Sequence, residues 1–200
     1  MTHRITGIIL SGGKSARMGR DKAFILFSGK PLIGVMIDNL SAVCVELIIA
    51  TNKPYLYQEY NVQVSIDIIK DKGPLGGIHA GLIASRNMYN FVCACDMPFI
   101  NRDLVGYMAE NADGYDAVIV EHKQELEPLC AVYSKNCIEH IEKELYRGNL
   151  KMTDFLKSIR IKVMKERDIS KFDPEGRSFV NVNTKKDYQC ILQETLTNRK

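Results

Sequence analysis

The chain has 200 residues, 46% of them hydrophobic and 26% charged, with a formal net charge of +3. That balance suits one soluble domain with a sizeable core and argues against a general nucleic-acid binder. The longest apolar runs fall far short of the roughly 20 residues of a membrane span. Met1–Thr6 has neither the length nor the cleavage site of a secretory signal, so a cytoplasmic location is expected, with no nucleic-acid or membrane partner.

Gly7–Leu10 is a short apolar run that suits a strand covered on both faces. It breaks into Ser11-Gly12-Gly13 and a stretch to Lys22 carrying four basic residues, Lys14, Arg17, Arg20 and Lys22, and the acid Asp21. Ala23–Phe27 leads into the turn Ser28–Pro31, and Pro31 fits the first turn of a helix to about Val43. Val45–Ala50 is a second strand, Asn52-Lys53-Pro54 punctuates, and a short aromatic helix or turn follows. Val62–Ile66 is a third strand ending at Asp67. The glycine-rich loop Lys70–His79 then opens a helix to about Asn87. Phe91–Cys95 is a fourth strand, stopped by Asp96-Met97-Pro98, and Asn101 is placed to cap the next helix.

Ala117–Val120 is a fifth strand, after which the texture changes. Glu125–Ser134 reads as extended, 136–146 as helix, Met152–Ser158 as a short helix and Ile159–Met164 as a strand. The alternating run Phe179–Thr184 leads into a last helix, for which Thr184 can cap. Strand–helix alternation in the first half predicts an α/β fold, a mostly parallel sheet with helices on both faces. In such sheets ligands bind beyond the carboxyl ends of the strands. The polar breaks after Leu10, Ile66 and Cys95 all fall at such ends, and they are expected to converge at one edge.

Six cysteines stand at positions 44, 93, 95, 130, 137 and 190, without a C-x-x-C pair. Buried thiols in a reducing compartment are the expected reading, against a zinc site or a disulfide framework.

The opening loop has the chemistry of an anion cradle: glycines let backbone N–H groups approach, and Lys and Arg supply countercharge. It is not a Walker A loop, which needs a glycine where Ile8 stands, and no G-x-G-x-x-G is present. Asp96, directly after a buried strand, either caps the turn before Pro98 or fixes a Mg²⁺ ion, which takes one or two protein carboxylates and completes its shell with phosphate oxygens and water. Asp67 has the same two readings more weakly, a structural cap or a place near a nucleotide. Gly73-Pro74-Leu75-Gly76-Gly77 either lines a base or ribose or makes a tight turn.

Together these segments resemble nucleotidyltransferases with a Rossmann-like sheet of the nucleotide-diphospho-sugar-transferase type. Within that group they resemble the MobA-type molybdenum cofactor guanylyltransferases. The resemblance rests on Leu10-Ser11-Gly12-Gly13-x-x-x-Arg17-Met18-Gly19-x-Asp21-Lys22, where the family usually reads Leu-Ala-Gly-Gly, and on Gly73–Gly77 and Cys95–Pro98. Glu127–Tyr133 and Phe179–Thr184 resemble family segments that face a pterin, and the Asn-Val-Asn-Thr tract is the most selective of them. Family members often carry a guanine-recognising Asn after the second strand, the position of Asn52.

The resemblance implies a single domain over 1–200, with a nucleotide-binding half (1–120) and an acceptor-binding half (121–200). It implies transfer of GMP from GTP to the terminal phosphate of molybdopterin-type cofactor with release of pyrophosphate. Leu10, Ser11, Gly12, Gly13, Lys22, Asp67, Gly76 and Asp96 are the nucleotide-binding candidates. Arg17, Lys22 and Asp96 are the catalytic ones. On the same resemblance Asp96 is the expected Mg²⁺ ligand, and Glu127, Asn181 and Asn183 are expected to face the acceptor. Delivery or acceptor proteins for the cofactor are implied as partners. The alternatives are a nucleotidyltransferase using CTP or another acceptor, and a nucleotide-binding module without turnover.

Overall fold

The computed structural model describes residues 4–12, 21–69, 72–182 and 187. In chain order it has β1 (Ile5–Leu10), a small hairpin of β2 (Leu26–Phe27) and β3 (Lys30–Pro31), α1 (Leu32–Ser41), β4 (Glu46–Ala50) and β5 (Gln63–Ser65). Then come α2 (Gly73–Ala84), β6 (Tyr89–Ala94), α3 (Arg102–Glu110), β7 (Ala117–His122) and β8 (Glu125–Ser134). α4 (Cys137–Tyr146), α5 (Met152–Lys157), β9 (Ile161–Met164) and α6 (Glu166–Ile169) follow. All strands but the hairpin join one seven-stranded sheet in the order β5-β4-β1-β6-β8-β7-β9.

β1 is central, parallel to β4 on one side and β6 on the other, and every one of its residues is buried. Its side chains alternate between two cores, as a strand's period of two requires. Ile5 and Ile9 pack with Ile33 and Met36 of α1 and Leu104 of α3. Ile8 and Leu10 pack with Leu75 and Ile78 of α2 and Ile141 of α4. The expected helices on both faces are therefore present.

β8 departs from the parallel pattern and pairs antiparallel with both β6 and β7. The cause is local. Only Lys123 and Gln124 connect it to β7, both at positive φ (50° and 67°), and so short a connection can join only antiparallel strands.

One expectation needs correction. Gly73–Gly77 is not a loop before a helix: it is the start of α2, which ends at Ala84 and not near Asn87. Two of its glycines serve packing. A Cβ on Gly77 would stand 3.1 Å from Leu10 Cδ2, and one on Gly81 2.6 Å from Ile8 Cγ2, so α2 lies against β1 only because these positions lack a side chain. Beyond Ala84 the chain is drawn out of the helix, because the Asn87 amide donates to Thr6 Oγ1 at 2.9 Å. The alternating run from Phe179 joins no sheet over its described residues. Arg177–Phe179 is a 3₁₀ turn, and Val182 N donates instead to the Asp96 carbonyl at 2.7 Å. Thr184 lies outside the described residues. Among the described residues, no helix is long and apolar enough to cross a membrane.

Candidate active site

Because β5, β4, β1 and β6 run parallel, their carboxyl ends share one edge, and the breaks after Leu10, Ile66 and Cys95 meet there as expected. The ladder continues one residue past each end. Ser11 N donates to Ala50 O (2.9 Å), Thr51 N to Ser65 O (2.9 Å) and Cys95 N to Leu10 O (3.1 Å). The first loop residues are thus fixed as firmly as the strands.

Two clefts open at this edge. One, of about 510 Å³, is lined by Ser11, Asn52, Lys53, Asp67, Pro74 and Gly77 among others. In it the Asn52 amide donates to Asp67 Oδ2 at 2.8 Å, while Asp67 N donates back to Asn52 Oδ1 at 3.3 Å. This reciprocal pair sets the orientation of the Asp67 carboxylate. Gly76, expected to contact nucleotide, does not line the cleft. Gly73 and Gly77 do, and Gly76 is packed under the wall, where an added Cβ would stand 3.6 Å from Asp67 Oδ2.

The second cleft, of about 470 Å³, is lined by Lys22, Asp96, Glu127, Pro128, Leu129 and Asn181 among others. Lys22 begins a 3₁₀ turn capped by Asp21, whose carboxylate accepts from Ala23 N. Its ammonium group lies 3.4 Å from Asp96 Oδ2, and the side chains are 35% and 13% exposed. Asp96 is therefore set into the wall while Lys22 reaches it from the solvent side. Burial raises the Glu127 carboxyl above its usual range, opposed by the charge of His122. Leu10, Gly12 and Asp21 border both clefts, so the two meet at the end of β1. Lys53 pins Asp21 from the first side at 3.3 Å.

Behind the edge lies a feature that sequence reasoning missed. Tyr57, 1% exposed, puts its hydroxyl 2.6 Å from Ser11 Oγ and its ring centroid 5.3 Å from that of Phe24. One side chain thus touches residues on both sides of the cationic stretch, Ser11 before it and Phe24 after it. Burial pushes the Tyr57 hydroxyl and the Cys95 thiol each up to about 12. All five described cysteines are buried and unpaired, as the buried-thiol reading expects.

Leu10, Ser11, Gly12, Lys22, Asp67, Asp96, Glu127 and Asn181 are brought together at this edge. Gly13, Arg17 and Asn183 lie outside the described residues. Asp21, Lys53 and Leu150 also line the clefts without having been singled out. Asp21 stood inside the signature motif. Lys53 and Leu150 carried no signal.

Among the described residues, no group of three or more His, Cys, Asp and Glu side chains is arranged to hold a metal alone. Asp96 and Asp21 border one cleft, however. Two hard carboxylates, to be completed by phosphate oxygens and water, are the donor set that Mg²⁺ takes and so fit that ion.

A family model described as "MobA-like NTP transferase domain" matches residues 7–163. The chain is 36% identical over 187 residues to a molybdenum cofactor guanylyltransferase of Desulfosudis oleivorans, covering 92% of this chain and 93% of that protein. Among solved structures it resembles molybdopterin-guanine dinucleotide biosynthesis protein A from Archaeoglobus fulgidus, with a TM-score of 0.83 and 26% identity over 96% of this chain and 100% of that one. A 4-diphosphocytidyl-2C-methyl-D-erythritol synthase from Anaerococcus prevotii shares the fold at a TM-score of 0.68 and 16% identity, over 96% and 100% of the two chains.

Proposed function

The chain belongs to the MobA-like NTP transferase family, and from that premise we propose that it transfers GMP from GTP to the terminal phosphate of a molybdopterin-type cofactor, releasing pyrophosphate. One observation carries the reading: the two clefts share a border at Leu10, Gly12 and Asp21. A donor in the first and an acceptor in the second meet over that border. The relatives named as guanylyltransferases support the choice of base and acceptor.

The first cleft takes the guanosine. Guanine offers two N–H donors, N1 and N2, side by side on its pairing edge, and a carboxylate accepts both. Asp67 supplies that carboxylate and Asn52 orients it. Cytosine has one donor on the corresponding edge and is the poorer match. The second cleft takes the acceptor, with Glu127 and Asn181 toward the pterin, and Asn183 beside them by its place in the motif.

The acceptor phosphate is already anionic near neutral pH, so no Ser, Cys or His needs activation. One of its oxygens attacks the α-phosphorus while the bond to the bridging β-phosphate oxygen breaks, and pyrophosphate leaves with that electron pair. The work is positional and electrostatic. The amides around Ser11–Gly13 hold the triphosphate, and Lys22 stabilises charge on the α-phosphoryl oxygens. Arg17 holds the departing pyrophosphate, which its planar fork suits. Asp96, with Asp21 lining the same cleft, would hold Mg²⁺, which when bound would neutralise phosphate charge. A cytoplasmic setting, and partner proteins that deliver or receive the cofactor, belong to the same reading.

The test is a matrix of the four nucleoside triphosphates, with and without the pterin acceptor and Mg²⁺, scored for pyrophosphate. GTP with acceptor and Mg²⁺ should release it, and Asp96→Ala should lower that rate by about 10²–10³ while the protein stays folded. Release with CTP but not GTP would overturn the base assignment. Near-wild-type turnover by Asp96→Ala would remove the metal assignment.

A further inference from the structure

The connection from α4 to α5 contributes one residue, Leu150, to the cleft that contains Asn52 and Asp67. Leu150 is 41% exposed. A single exposed leucine needs no explanation by itself. The way its neighbours are held does call for one.

Gly148 closes α4 at φ 72°, and Asn149 then ties the connection down on both sides. Its backbone N donates to Glu144 O at 3.0 Å. Its side-chain amide donates to Glu144 Oε2 at 2.6 Å and to Asp154 Oδ2 at 3.3 Å, and its Oδ1 accepts from Lys151 N at 3.2 Å. Glu144 belongs to α4 and Asp154 to α5. The backbone carrying Leu150 is therefore fastened to both helices, and an apolar side chain is presented to the cleft at a set place.

We infer that Leu150 is a nucleotide-contact residue, covering an apolar face of the base whose polar edge meets Asn52 and Asp67. This deepens the assignment of that cleft to the nucleoside and rests on it. A base has one hydrogen-bonding edge and two apolar faces, and such a ligand needs polar and apolar walls together. Asn52 and Asp67 supply the first, and Leu10, Pro74 and Leu150 supply the second. The triphosphate has no apolar surface, so Leu150 gains nothing from it. Covering Leu150 with the base removes apolar area from water only when a base is present.

The test compares GTP with inorganic triphosphate as ligands of the full chain by calorimetry, for wild type, Leu150→Ala and Leu150→Met. Leu150→Ala should weaken GTP about five- to tenfold, corresponding to loss of roughly half a leucine's apolar burial, and leave triphosphate affinity unchanged. Leu150→Met, which keeps the volume, should bind GTP like wild type. GTP affinity unchanged in Leu150→Ala, or GTP and triphosphate weakened alike, would overturn the inference. If the wild type prefers another nucleoside triphosphate, guanylyl transfer fails, but the same comparison with that nucleotide still decides the role of Leu150. A wild type that binds no nucleoside triphosphate overturns both.

Discussion

Tyr57 and Ser11 are 46 positions apart, yet their hydroxyls meet at 2.6 Å in a place almost sealed from water. Removing one member of such a pair leaves the other buried without its partner, whereas removing both is close to neutral. Tyr57→Phe should therefore lower stability by about 1–2 kcal/mol. Adding Ser11→Ala should recover most of that loss, as read from urea denaturation of the two single variants and the double one. Equal and additive losses would mean that the pair is not coupled. Little of this was legible in the sequence. Ser11 reads as a small departure from the family's alanine, and Tyr57 as one aromatic among several in a turn. A long-range hydroxyl pair leaves no periodic trace. Asp96 and Lys22 were legible because their positions, after a buried strand and inside a glycine-rich cationic motif, are local facts.

Among the elements, α2 shows how packing overrides local signals. Its first residues are Gly73 and Pro74, which punctuate a sequence as a loop would. Gly73 enters α2 at φ 59°, and further along Gly77 and Gly81 let the helix backbone settle against Leu10 and Ile8. Alanine ordinarily favours a helix over glycine by about 1 kcal/mol. At Gly81 the sign should reverse, since a Cβ would stand 2.6 Å from Cγ2 and 2.9 Å from Cδ1 of the fully buried Ile8. Gly81→Ala is expected to cost about 1–3 kcal/mol of unfolding free energy, measurable as a lowered denaturation midpoint. A gain in stability would show that α2 can slide away from β1 at little cost. The antiparallel β8 was also beyond local reading. Its residues announce an extended segment, but direction follows from the two-residue connection at Lys123-Gln124.

Across the whole molecule, the two edges of the sheet carry different duties. The carboxyl edge gathers the clefts, and the opposite edge gathers a buried carboxylate network. Glu46 accepts from the Thr6 hydroxyl at 2.6 Å, from Arg86 N at 3.0 Å and from Arg86 Nε at 2.7 Å. Burial alone would raise its carboxyl, but these bonds outweigh it and hold the group below its usual range. A carboxyl depressed by folding stabilises the native state above its unfolded value, and that contribution is lost as pH falls through its folded value. Glu46→Gln should thus be less stable than wild type at neutral pH by about 1–2 kcal/mol, with the gap closing in acid. Denaturation midpoints across a pH series would reveal a constant gap if the carboxylate is not the cause. The α/β architecture was legible at this scale, since strand and helix alternate along the first half of the chain. So was the convergence of the strand ends, which follows from parallel pairing alone.

The border formed by Leu10, Gly12 and Asp21 has a consequence for movement. Many two-substrate enzymes keep their partners on separate bodies and must close a hinge to align them. Here both clefts share Leu10 and Gly12, at the end of one strand inside the sheet, and Asp21. A displacement of Leu10 and Gly12 would be felt by both clefts at once. On the proposed assignment of the clefts, a change at this strand end would therefore disturb donor and acceptor together and not one of them alone.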